Sequence, residues 1–158
     1  MGNDIYEVMV SLLEKRKSIR NFSVNDSLSE GVLYDLVKLS KKAPMAGGID
    51  STCVMLFHLC DDKIRKLFYR ATFYQELVIS AHYVIVFIGD EKKLSEKYKE
   101  PYVERFCCQN ATIQAYNFIL LAESINIHSC FVGGIREDLL STSMGNMEGK
   151  KIYSLVFV

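Results

Sequence analysis

Residues 83–89 read Tyr-Val-Ile-Val-Phe-Ile-Gly, and no other stretch limits the fold of this chain so tightly. The run is apolar on both faces and rich in β-branched residues, so a strand built from it has no side to turn to water. It belongs in the middle of a sheet that other elements cover. Weaker strand signals supply its neighbours: the apolar run Cys53–Cys60, then Ser129–Ile135 with its Gly133-Gly134, and last Ile152–Val158.

The cover is helical. Ile5, Val8, Met9, Leu12 and Leu13 recur at the spacing of an amphipathic helix over residues 4–16. Val32, Leu33, Leu36 and Val37 give the buried face of a second helix over 29–42. Ser27-x-x-Glu30 reads as its capping box, and Lys38, Lys41 and Lys42 suit its C-terminal dipole. Pro44 limits continuation of that helix, and Gly47-Gly48 permit backbone conformations other residues avoid. Short helices are expected over 63–70, 73–80 and 136–143. Residues 90–101 form a solvated helix or excursion, and a long central helix runs over 102–126. With no repeats, low-complexity tracts or linkers, residues 1–158 read as one α+β domain, a central sheet packed by helices.

Charge narrows the function classes. Nineteen Lys and Arg balance nineteen Asp and Glu, which argues against a nucleic-acid binder, since such proteins carry a basic surplus. No apolar run approaches the roughly 20 residues of a membrane span. The N-terminus has no basic region followed by an apolar stretch, so no signal peptide is expected and the cytoplasm is the expected location. The cysteines, Cys53, Cys60, Cys107, Cys108 and Cys130, are odd in number and form no C-x-x-C pair or zinc pattern. Cys53, Cys60 and Cys130 fall in expected strands, and buried reduced thiols fit a cytoplasmic protein. His58, His82 and His128 are scattered among apolar neighbours and read as satisfied structural residues. No metal site, hydrolytic triad or phosphate-binding glycine loop is recognisable.

Residues 16–22 read Arg-Lys-Ser-Ile-Arg-Asn-Phe. If extended, Arg16, Ser18 and Arg20 share one side, where two guanidiniums can fork-bond a phosphate and the hydroxyl can reach a sugar or ribityl oxygen. Taken alone, the segment reads more readily as a basic helix end followed by a connector. Three more segments follow it in order: Ala43-Pro44-Met45-Ala46-Gly47-Gly48, Gln75 with Ala81–Phe87 beyond it, and Ser129–Ile135 after the long helix.

In this order and spacing the four segments resemble the flavin-dependent nitroreductase family. Within it they are most similar to the compact branch that includes azoline-oxidising dehydrogenases, whose loop reads Pro-Ser-Ala-Gly-Gly. The resemblance covers nearly the whole chain. It implies a single-domain nitroreductase-like fold with a mostly antiparallel sheet, and a homodimer. The implied activity is FMN-dependent and ping-pong: hydride passes from NADH or NADPH through the flavin to a small nitroaromatic, quinone or enone. Side chains matching Arg16, Lys17, Ser18 and Arg20 hold the flavin phosphate and ribityl chain in that family. The loop matching Pro44, Met45, Ala46, Gly47 and Gly48 lies against the isoalloxazine, usually from the partner subunit. Gln75 matches a glutamine near the flavin or its entrance, and backbone N–H groups matching Gly133 and Gly134 approach flavin N5. Close approach of backbone to a flat ring favours glycine.

Departures from the family pattern qualify the expectation. Met45 replaces a common serine, Asn110 a frequent acidic residue, and His82 a frequent proline. The sequence given stops at Ser154–Val158, where many relatives continue into an arm with further Lys or Arg, so the expectation is either weaker phosphate binding or binding that rests wholly on the N-terminal arginines. Lys97-Tyr98 resembles a proton-transfer pair of azoline dehydrogenases. It also sits in the Lys/Glu-rich run 92–100, where a solvated face is the simpler reading. A flavin-sequestering protein, or a degenerate paralogue without turnover, is the alternative to the enzyme.

Overall fold

The computed structural model describes residues 2–23, 28–145 and 147–158. Its four strands are β1 (Thr52–His58), β2 (Tyr83–Asp90), β3 (Cys130–Val132) and β4 (Lys150–Phe157). They form one sheet in the order β1-β2-β4-β3, with every pair antiparallel. As its composition predicts, β2 lies inside the sheet, and its residues Tyr83–Gly89 are all buried. The alternation of a strand divides that apolar run between two layers. Val84, Val86 and Ile88 pack into one core with Phe68, Leu77 and Leu140. Tyr83, Ile85 and Phe87 pack into the other with Leu33, Ala115 and Phe118.

The helices are α1 (Gly2–Lys15), α2 (Glu30–Ser40), α3 (Asp62–Ala71), α4 (Leu77–Ser80), α5 (Glu91–Ser95), α6 (Tyr102–Ser124) and α7 (Glu137–Ser143). Helices α2 and α6 cover one face of the sheet, while α3, α4 and α7 cover the other. Gly89 ends the apolar run of β2 for a steric reason: a Cβ there would lie 2.6 Å from Tyr153 Cε2 and 2.9 Å from Cys107 Cβ.

Several elements differ from the sequence expectation. Ser27 lies outside the described residues, and α2 is capped instead by Ser29, whose Oγ accepts from Val32 N at 3.4 Å. β1 ends at His58, leaving Cys60 in an exposed turn rather than a strand. Asp61 does more than mark that turn: its carboxylate accepts from Lys63 N and Ile64 N and caps α3. No helix covers 73–76, because Phe73 and Tyr74 both adopt positive φ, 56° and 62°. β3 is only Cys130–Val132, since Gly133 and Gly134 leave the sheet at once. His82 is not satisfied: among the described residues its buried Nε2 has no partner, and it lies beside a small cavity of about 60 Å³ lined also by Phe22 and Val158.

Candidate functional site

Helix α1 ends where Arg16 N donates to Leu12 O, and the chain then runs beside the start of β3. Ser18 bridges Ser129, and Ile19 N donates to Ser129 O at 3.0 Å. The segment is thus held by backbone, as an extended connector can be. Ile19 and Asn21 line the small inner cavity, whereas Arg16 faces a groove of about 260 Å³ formed with Tyr116 and Phe131. Arg16 is half-buried, and Lys17, Ser18 and Arg20 are exposed. Among the described residues, none of these three cations makes a hydrogen bond or ion pair through its side chain. Charges left unpaired beside an apolar groove suit an anion with a flat body attached.

Gly133 and Gly134 follow β3 on the same edge, and both are exposed. A Cβ at Gly134 would meet nothing within 4 Å, so its backbone is open to approach. Arg136 N donates to Ala71 O at 2.7 Å, tying this loop to the end of α3. Gln75 stands a few residues beyond Ala71, half-buried, its carbonyl accepting from Val78 N. Arg16–Arg20 and Gly133-Gly134 therefore flank the two ends of β3, with the Gln75 loop joined to the glycine end through Ala71. Burial pushes the neighbouring Cys130 thiol up, although Arg20 pulls the other way.

Pro44, Met45, Ala46 and Gly47 lie elsewhere. They precede β1, at the opposite edge of the sheet, and border α6 at Phe106, Asn110 and Ile113. Gly47 and Gly48 have φ of 62° and 71°, which explains the glycine pair. Ala46 N donates to Asn110 Oδ1 at 2.9 Å, and Asn110 Nδ2 donates to Ser51 Oγ at 2.9 Å. Asp50 fastens the C-terminal end of the loop: its carboxylate pairs with Lys41 at 3.1 Å, and its carbonyl accepts from Lys93 Nζ at 3.1 Å. Burial works against the Asp50 carboxylate, but Lys41 and the Thr52 N–H and hydroxyl together hold the group below its usual range.

The turn borders a cleft of about 360 Å³ with Tyr98, Phe106 and Ile113. Lys97 is exposed, as a solvated face requires, yet it does not simply point away. A Cβ on Gly47 would lie 2.5 Å from Tyr98 Oη and 3.0 Å from Lys97 Nζ, so both polar ends converge on this glycine. Asn110 and Ser51 are the residues that sequence patterning did not place in the site. The available signal was an amide among the apolar positions of α6, where a polar residue needs a partner.

Among the described residues, no group of three His, Cys, Asp or Glu could hold a metal ion, and no helix is long and apolar enough to cross a membrane. The antiparallel sheet, its two helical layers and the basic segment against β3 are those of the nitroreductase fold. The chain belongs to the nitroreductase family, whose profile matches residues 13–158, and is an oxidoreductase of that type. Among solved structures, the ydfN protein of Bacillus subtilis superposes with a TM-score of 0.85 at 16% identity, covering 94% of this chain and 86% of its own. A nitroreductase-fold protein of Exiguobacterium sibiricum 255-15, solved in complex with FMN, gives 0.82 at 13% identity over 94% and 85% of the two chains. An enone reductase of gut-bacterial fatty acid saturation, CLA-ER, gives 0.80 at 15% identity over 98% and 87%. Among curated protein sequences, none matches the chain.

Proposed function

We propose that this protein is an FMN-dependent oxidoreductase that takes hydride from NADH or NADPH and delivers it to a small electrophile such as a nitroaromatic, quinone or enone. The observation that carries this reading is the set of unpaired cations, Arg16, Lys17 and Arg20, beside the exposed backbone of Gly133-Gly134. Their donor chemistry fits a phosphomonoester at one end and a flat ring at the other. Bound FMN would supply the hydride-carrying ring, which no side chain here can replace. The chain's own part is positional. Arg16, Lys17 and Arg20 would neutralise the phosphate, and Ser18 would bond the ribityl chain. The N–H groups of Gly133 and Gly134 would stand against the ring edge, with Gln75 near the entrance.

The working unit is a homodimer with the site at its interface, in the cytoplasm. Two features favour it. The turn at 44–48 and the arginine segment stand at opposite edges of the sheet in one chain, so neither half encloses a ring by itself. In addition, Ile5, Val8, Met9 and Leu13 of α1 are 73%, 66%, 42% and 47% exposed, a helical stripe with too little cover in the single chain.

Purified protein supplied with FMN should show flavin bands near roughly 370 and 450 nm. These should bleach anaerobically on adding NADH or NADPH. Protein that stays colourless overturns the reading. Bound flavin that neither nucleotide reduces favours the flavin-binding alternative, and colourless protein that co-purifies with another chain favours the paralogue. A second reading within the enzyme class is azoline oxidation, favoured by the convergence of Lys97 Nζ and Tyr98 Oη on Gly47. It predicts that Lys97→Ala abolishes peptide oxidation while flavin content stays unchanged.

A further inference from the structure

The turn at 44–48 is fastened at both ends but has one hold on its middle. Ala43 N donates to Ser40 O before it, and Asp50 is anchored by Lys41 and Lys93 after it. Inside it, Gly48 N and Ile49 N close the turn on Met45 O and Ala46 O. Among the described residues, the bond from Ala46 N to Asn110 Oδ1 is the one hydrogen bond that joins the turn to another element. Met45, at the cap position, offers no side-chain acceptor, so Asn110 supplies from α6 what a capping Ser or Asp would supply locally.

The chemistry of that hold is specific. Asn110 is 2% exposed and Ser51 fully buried. Ala46 N–H can only donate, which fixes the amide with its oxygen toward the turn and its nitrogen toward Ser51. The neighbouring Cys107 is buried too. A carboxamide meets an N–H on one side and a hydroxyl oxygen on the other without charge. A carboxylate would offer acceptors to both and bury a charge. Leucine of similar volume would leave both Ala46 N–H and Ser51 without their partner.

We infer that Asn110 is the positioning residue of the flavin ring: through Ala46 it sets where the turn lies against the isoalloxazine, with Ser51 orienting its amide. The inference rests on the FMN reading above. Asn110 has no part at the phosphate end, so its effect separates from that of the arginines by ligand. Riboflavin has the ring and lacks the phosphate.

The test titrates full-length wild type, Asn110→Leu and Ser51→Ala with FMN and with riboflavin, following flavin fluorescence and the visible absorption and circular dichroism of the bound ring. Asn110→Leu should weaken both ligands by the same factor, roughly five- to tenfold, and shift the visible bands. Ser51→Ala should do the same to a smaller extent and keeps the test open should Asn110→Leu fold poorly. A purely structural role would lower thermal stability and leave the spectrum of the bound ring unmoved. Wild-type constants and spectrum in both variants would overturn the inference, as would a loss confined to FMN. Wild type that binds neither ligand overturns the FMN reading itself, a result distinct from either.

Discussion

The two halves of the candidate site are built in opposite ways. At the β3 edge the charged side chains of Lys17 and Arg20 stand in solvent, and with Arg16 they make no ion pair among the described residues. That segment is held through its own backbone, by Ser18 and Ile19 against Ser129 and by Phe22 N, which donates to Ser80 Oγ. At the turn before β1, side chains supply most of the anchors, Asn110, Ser51, Lys41 and Lys93, beside the backbone bond from Ala43 N to Ser40 O. One half keeps its donors free, and the other spends its polar groups on its own shape. A phosphate is bound by groups that have no other partner. A ring is bound by a surface that does not move. The contrast predicts a division of labour, with affinity at the arginines and placement at the turn.

The most severe way to break this division is to separate the halves. Val8→Asp with Leu13→Lys puts charge on the exposed stripe of α1. Wild type should sediment as a dimer and the double variant as a monomer, with FMN affinity reduced roughly a hundredfold or more because each half-site then stands alone. A monomer that holds FMN as tightly as wild type would show that one chain makes the whole site. Next in size, Arg16→Ala and Arg20→Ala should each weaken FMN about ten- to hundredfold, as expected for a lost charge-assisted contact, and leave riboflavin unchanged. Equal losses for the two ligands would place the arginines at the ring.

The turn should respond more mildly. Gly47→Ala forces a side chain into φ of 62° with Tyr98 Oη 2.5 Å from the new Cβ. The left-handed conformation costs about 1 kcal/mol, and the Tyr98 and Lys97 ends can swing aside. About a fivefold loss of both FMN and riboflavin follows. Tyr98→Phe, which removes the nearest atom, should recover part of it in the double variant. Recovery of riboflavin binding alone would contradict a placement role.

Much of this was legible in the residues and some was not. Tyr83–Gly89 located the sheet centre because a strand apolar on both faces has one place to go. Gly47-Gly48 announced a special backbone, and both take positive φ. Residues 73–76 misled, since Phe73 and Tyr74 are not residues that normally sit at positive φ, and only the tertiary path from α3 to α4 imposes it. The α1 stripe was correctly helical, but its period says nothing of what it packs against, and in one chain it stays exposed. Asn110 was visible as a departure from a family pattern. Its role was not, because the donor it satisfies is a backbone N–H 64 positions away in sequence.

The smallest effect concerns the strained pair that follows α3. Phe73 is 60% exposed, and among the described residues no aromatic partner holds its side chain. Its φ of 56° is therefore a cost with little packing to offset it. Tyr74, equally exposed at φ of 62°, packs edge-on against Tyr69 at 5.4 Å. Asparagine tolerates the left-handed region better than an aromatic residue does. Phe73→Asn should therefore stabilise the protein by about 0.5–1 kcal/mol, raising Tm by roughly 1–3 °C in thermal denaturation. Tyr74→Asn should show no gain, because relief of the backbone is cancelled by the lost ring contact. A fall in Tm for Phe73→Asn would mean that the ring of Phe73 is covered in the working assembly. The β3 side would then be held by side chains, as the turn is, and the contrast between the two halves would narrow.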